Sequence, residues 1–199
     1  MDPFERLADA TRRLAELTRD RARTGRTHQD ADDETGTVAT DGALAFDPVP
    51  LLRALDSAGA RVCVIGQVAG ILHGSAELTG DLDLLWDGDP GAAPALAAGF
   101  AAAGVTLTDD DGTPVGPGGL ARPKVLFTGP TATGDCCTPA LPWGDLPVTA
   151  YLDRCEVATG PDLTLRWLRL EDLIAMRRAV GRPKDRRRAA ELAALRGEP

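Results

Sequence analysis

Hydrophobic positions near the start of the chain recur at helical spacing and then lose all period. Phe4, Leu7, Leu14 and Leu17 predict an amphipathic helix over residues 4–20. Residues 21–43 are rich in small and charged groups with no apolar period, which predicts a flexible linker. The first helix is then a tethered unit, able to pack on the rest of the chain, on a second copy or on a partner. From residue 44 onward the pattern becomes that of a compact domain, 44–199. Residues 48–60 read as a helix with Pro50 in its early part, and 61–66, "RVCVIG", as a buried strand. A short helix over "QVAGILHG" follows, then a turn, then a strand over "DLDLLWD". An alanine-rich helix ends at Gly104, and "VTLT", "KVLFTG" and "GDCCTP" read as further strands around a Gly/Pro loop at 109–121. Residues 142–159, "PWGDLPVTAYLDRCEVAT", read as a turn and a short helix or strand, and "LTLRWL" alternates as a strand. Two helices, "RLEDLIAMRRAV" and "KDRRRAAELAALR", meet at Gly181 and Pro183. This order predicts an α/β (α+β) core, a mixed sheet flanked by helices with a helical C-terminus.

The chain's 199 residues suffice for one domain with a real core. A formal net charge of −8 argues against a general polyanion binder, since such binding rests on neutralising phosphates, although a local basic surface remains compatible with it. No run approaches membrane-spanning length and the charged start is unlike a secretory signal, so a cytoplasmic protein is expected. The cysteines fit that expectation: Cys63 reads as a buried thiol, Cys136 and Cys137 are adjacent, and Cys155 stands alone. With His28 and His73 the only histidines, a zinc site is not expected.

Chemistry concentrates in "LTGDLDLLWD". Alternate residues of a strand share a face, so Asp81 and Asp83 project together while Leu82 and Leu84 enter the core. Two carboxylates about 7 Å apart repel unless a positive charge lies between them, and a hard cation such as Mg2+ prefers carboxylate oxygen. The plainer alternative is a solvated acidic strand end. Upstream, the strand ends at Gly66 and a short helix begins, a junction whose free N–H groups suit a phosphate and whose glycine permits close approach.

The stretch "VIGQVAGILHGSAELTGDLDLLWD" resembles the signature of the DNA polymerase beta-like nucleotidyltransferase superfamily. The nearest likeness is to small bacterial members of toxin–antitoxin or abortive-infection type. The tail "LEDLIAMRRAVGRPKDRRRAAEL" is similar to the ending of that group, and the resemblance spans roughly 46–196. It implies transfer of a nucleoside monophosphate from an NTP to an acceptor, whether RNA such as tRNA, a protein or a small molecule. It also implies Mg2+ (or Mn2+) on Asp81, Asp83 and a third carboxylate matched by Asp135, a ligand or base whose plainer reading is a turn aspartate. Gly66, Gln67, Thr79, Arg177, Arg182 and Lys184 are the corresponding nucleotide-binding candidates, and a cognate antitoxin is an implied partner.

The sequence also departs from the family pattern. Gln67 stands where a small residue is usual, able to crowd a phosphate or to donate to it. The turn before Asp81 carries Glu77 and Gly80 where relatives often have arginine, and Arg177 replaces a lysine. These changes keep open a catalytically impaired nucleotide-binding or partner-binding module. Arg182 and Lys184 read equally as triphosphate contacts or solvated helix-end charges, and Arg186, Arg187 and Arg188 as solvated. His73 reads as a packed core residue, while Trp86, Trp143 and Trp167 read as anchors, Trp143 also being able to stack on a base.

Overall fold

A computed structural model describes residues 1–27, 30–31 and 36–197. His28 and parts of the expected linker lie outside the described residues. Helix α1 (Pro3–Thr18) begins at a capping box: Asp2 Oδ1 accepts from the Phe4 and Glu5 amides at 2.8 and 3.1 Å, and Glu5 Oε2 accepts from the Asp2 amide at 3.1 Å. Leu7, Ala10 and Leu14 form its buried face, whereas Leu17 is 63% exposed. The helix is not held apart from the domain: it packs on α3 (Gly66–Leu72), and Arg6 and Arg13 donate to the Leu72 and Ala76 carbonyls at 2.6 and 3.2 Å. Leu7 and Leu14 belong to the same apolar cluster as the sheet residues.

The expected linker also differs from the sequence reading. Its described residues follow a fixed path across the domain. Asp41 accepts from the Thr24 and Gly25 amides at 2.9 and 2.8 Å, and Arg21 donates to the Val38 and Thr40 carbonyls. Short 3-10 turns occupy Thr37–Ala39 and Asp41–Ala45.

The remaining elements follow the predicted order: α2 (Val49–Ser57), β1 (Cys63–Ile65), α3, β2 (Leu82–Leu85), α4 (Ala93–Ala102), β3 (Thr106–Thr108), β4 (Lys124–Thr128) and β5 (Thr133–Cys137). Then come α5 (Val148–Asp153), β6 (Glu156–Thr159), β7 (Thr164–Trp167), α6 (Leu170–Val180) and α7 (Pro183–Leu195). Gly181, at φ +70°, closes α6 in the left-handed conformation that suits glycine, and Pro183 opens α7. The sheet runs β3-β4-β5-β2-β1-β7-β6 and is mixed: β2 and β5 are parallel, as are β1 and β7, and the other neighbours are antiparallel. Helices α2 and α4 pack together, while α3 packs on α1 and α6, and α6 on α7. Trp86, Phe100 and Phe127 are fully buried, the two phenylalanine rings 5.5 Å apart.

Cys63 is not a free thiol. It is joined to Cys155 across 92 positions, tying β1 to the start of β6. Cys136 and Cys137 are buried and unpaired, and burial, followed by the Asp135 charge, pushes both thiols up, so neither is a ready nucleophile. With a disulfide present, the cysteines no longer favour a reducing compartment. No helix among the described residues is long and apolar enough to cross a membrane.

Candidate active site

The centre of the sheet builds the site. Leu82 and Leu84 are fully buried, which leaves Asp81 and Asp83 on the opposite face. Parallel pairing of β2 with β5 sets Asp83 directly beside Asp135, so both aspartates lie at one level of neighbouring strands. Gly134, just before Asp135, lies so close to β2 that an added Cβ would fall 1.8 Å from the Leu82 carbonyl oxygen. The three carboxylates line one cleft of about 760 Å³ together with Gly66 and Gln67.

Gly66 is required by its surroundings. Its φ is +62°, and a Cβ there would fall 1.9 Å from Asp83 Oδ2. The Asp83 carboxylate therefore rests against the turn between β1 and α3. Burial raises the Asp83 carboxyl well above the usual range, and the charges of Asp81 and Asp135 raise it further. Asp81 is held differently: Thr37 donates to its Oδ1 at 2.8 Å, and Thr79 donates to the same oxygen.

Cations from α6 and α7 line the same cleft. Arg177 is 5% exposed and its Nη2 donates to the Gly66 carbonyl at 3.0 Å and to Gln67 Oε1 at 2.8 Å. Its Nη1 is buried and has no hydrogen-bond partner among the described residues. Burial, with Arg188 nearby, lowers this guanidinium to about 10, which still leaves it charged at neutral pH. Arg182 pairs with buried Asp185 at 2.6 Å, and Lys184 lines the same wall. Arg188, expected to be solvated, instead reaches into the cleft wall and donates twice to Glu77 Oε1, at 2.9 and 2.6 Å. The acidic turn before Asp81 thus meets a guanidinium from α7. Leu141, Trp143, Leu173, Met176 and Val180 add apolar surface to the same lining. The Trp143 ring is fixed by a 2.9 Å bond from Nε1 to the Thr138 carbonyl.

Of the residues singled out by sequence, Gly66, Gln67, Asp81, Asp83, Asp135, Arg177, Arg182 and Lys184 all line this cleft. Two have different tasks from those expected. Thr79 is buried, is not among the residues that line the cleft, and donates to Asp81 Oδ1, which makes it a holding group for that carboxylate. Gln67 neither crowds the turn nor offers a free donor. Its Nε2 gives its two protons to Ser75 Oγ and the Glu77 carbonyl, at 3.0 and 2.8 Å, while Oε1 holds Arg177. His73 lies elsewhere, 2.7 Å from the Leu168 carbonyl and edge-on to Trp167. Sequence reasoning missed Lys124, which lines the cleft from the start of β4 and pairs with Asp110 at 2.6 Å. It missed Thr37 as well, because a threonine in an aperiodic segment carries no local signal.

Among the described residues no three His, Cys, Asp or Glu side chains are arranged to hold an ion as they stand. The donor set nonetheless fits a hard divalent cation. It consists only of carboxylate oxygens, sits on one sheet face, and carries mutual repulsion that a cation relieves. One cleft thus gathers acidic, basic and apolar side chains. No protein-family model and no curated protein matches the chain.

Proposed function

We propose that the protein is a metal-dependent nucleotidyltransferase with a polymerase-beta-like core. One observation carries this reading: three carboxylates on or beside two adjacent strands line a single cleft with Arg177, Arg182, Lys184 and Arg188. A nucleoside triphosphate combines the charges such a cleft complements, its phosphates meeting cations on one side and a carboxylate-held Mg2+ on the other. The Gly66 turn, Arg182 and Lys184 suit the phosphates, and the apolar side chains of the lining, Trp143 among them, suit a base.

In the reaction an acceptor hydroxyl oxygen bonds to the α-phosphorus, the bond from that phosphorus to the bridging oxygen breaks, and pyrophosphate leaves. Asp81, Asp83 and Asp135 would hold the cation. When bound, it neutralises phosphate charge and lowers the cost of forming the attacking alkoxide. Asp135 takes the acceptor's proton, while Arg177 and Lys184 balance charge that moves onto the leaving group. The acceptor is an RNA, a protein or a small molecule. Incubating the chain with α-labelled NTP, Mg2+ and total tRNA or lysate tests the reading. Label should move to an acceptor, and Asp135→Asn should slow it by at least about 100-fold, the lower end for a lost general base.

A second reading, a nucleotide-binding or partner-binding module without turnover, draws support from Gln67 and from the turn before Asp81, where Glu77 and Gly80 stand in place of the arginine of the family pattern. Binding of NTP with no transferred label in any acceptor pool favours it.

A further inference from the structure

Residues 36–45 lie outside the stretch that resembles nucleotidyltransferases, yet they reach the acidic centre. Thr37 is 8% exposed, lines the cleft, and has its hydroxyl at the meeting point of three groups. It donates to Asp81 Oδ1 at 2.8 Å, accepts from the Gly80 amide at 3.0 Å, and lies 2.8 Å from Thr79 Oγ1. The approach is close throughout: a Cβ on Gly80 would fall 2.5 Å from the Ala43 Cβ and 2.8 Å from its nitrogen. Arg21, at the end of α1, fixes the arm through the Val38 and Thr40 carbonyls.

Two roles for Thr37 can be weighed. As an acceptor hydroxyl it would need a lone pair free to reach phosphorus. That oxygen already contacts an amide, a carboxylate and a second hydroxyl, which leaves it poorly placed to attack. As a holding group it fits. Two hydroxyls fix Asp81 Oδ1, and Asp81 accepts no other hydrogen bond among the described residues, so Oδ2 is left for a ligand. Carboxylates that ligate metals are commonly fixed in this way, and losing such a partner weakens metal binding about ten- to a hundredfold.

We infer that Thr37 is a positioning residue for the cation site, supplied by the N-terminal arm, and that the arm is an integral part of the centre. This rests on the reading of the cleft as a cation and nucleotide site. The test is a Mn2+ titration of the full chain, following free Mn2+ by electron paramagnetic resonance, so no turnover is needed. Wild type binds Mn2+, and Asp81→Asn does not. Thr37→Val weakens binding about ten- to a hundredfold, and Thr37→Ser restores most of it. Arg21→Gln, which loosens the arm away from the site, shifts affinity in the same direction and decides the matter if Thr37→Val does not fold. Wild-type affinity in both Thr37→Val and Arg21→Gln overturns the inference. So does tighter binding in Thr37→Val, which would make the arm a plug, and so does failure of Thr37→Ser to rescue. If wild type takes up no Mn2+, the cleft reading itself falls and this inference with it, an outcome distinct from wild-type binding that Thr37→Val leaves unchanged.

Discussion

Asp83 shows how a single side chain carries the cost of the site. Its carboxyl lies against the Gly66 turn beside two like charges, and its affinity for a proton is raised well above the usual value. The unfolded chain releases that proton at lower pH than the folded chain does. Between the two values folding retains a proton, so stability falls as pH rises through that window and the full cost persists above it. Asp83→Asn removes the charge while keeping the shape. Measured at neutral pH without divalent cation, its melting temperature should exceed that of wild type by at least about 2 °C, the shift that about 1 kcal/mol gives in a chain of this size. The melting temperature of the variant should also lose the wild-type decline with pH over the same window. A variant no more stable than wild type would mean that the three carboxylates do not strain one another.

Residue types told part of this story and neighbours told the rest. Asp81 and Asp83 were legible because period two puts them on one face. Gly66 was legible because a strand ends there. Gln67 was misread: its type fitted two phosphate-facing roles, but both of its amide protons are committed beneath the turn. Arg188 was misread because helix periodicity does not reveal that Glu77, 111 positions away, waits for it.

At the level of elements, patterning did well wherever a segment had a period of its own. The short strands β1, β2 and β7 and the helix α6 fall within the segments expected of them, and α7 begins one residue before its segment, at Pro183. What escaped were contacts between segments distant in sequence. The arm was aperiodic and read as a linker, because its path is set by Arg21, Asp41 and the close approach to Gly80, and not by any stripe of its own. Leu17 matched the helical spacing yet faces solvent, since the buried stripe of α1 continues through Thr18. The Cys63–Cys155 bond likewise has no local sign. Closing a loop this long restricts the unfolded chain, and native disulfides of this kind contribute about 2–4 kcal/mol. Cys155→Ser should therefore lower the melting temperature under oxidising conditions, and added reductant should lower wild type to match. An unchanged melting temperature in both cases would show that the bond adds nothing to the fold. The bond lies behind β1 and away from the cleft walls, so NTP binding by Cys155→Ser at temperatures where it remains folded should match wild type.

For the whole molecule, the seven-stranded sheet brings together what the sequence scatters over about 150 positions. Its central strands supply the acid, the two C-terminal helices supply the base, and the N-terminal arm closes the acidic side. An overall acidic protein thereby presents a local basic wall, and the wall faces carboxylates, which favours a cation-bridged polyanion over a bare one. The direct measurement is thermal melting of the full chain with Mg2+ alone, NTP alone, and both together, for wild type and Asp81→Asn. Little change is expected from either ligand alone and a clear rise with both. Saturation at about 100 times the dissociation constant adds about 2.7 kcal/mol of stability, or about 5–11 °C for a chain of this length. Asp81→Asn should lose the part that depends on Mg2+. No rise in wild type with any NTP and Mg2+, or an equal rise in Asp81→Asn, would contradict the assignment of this cleft.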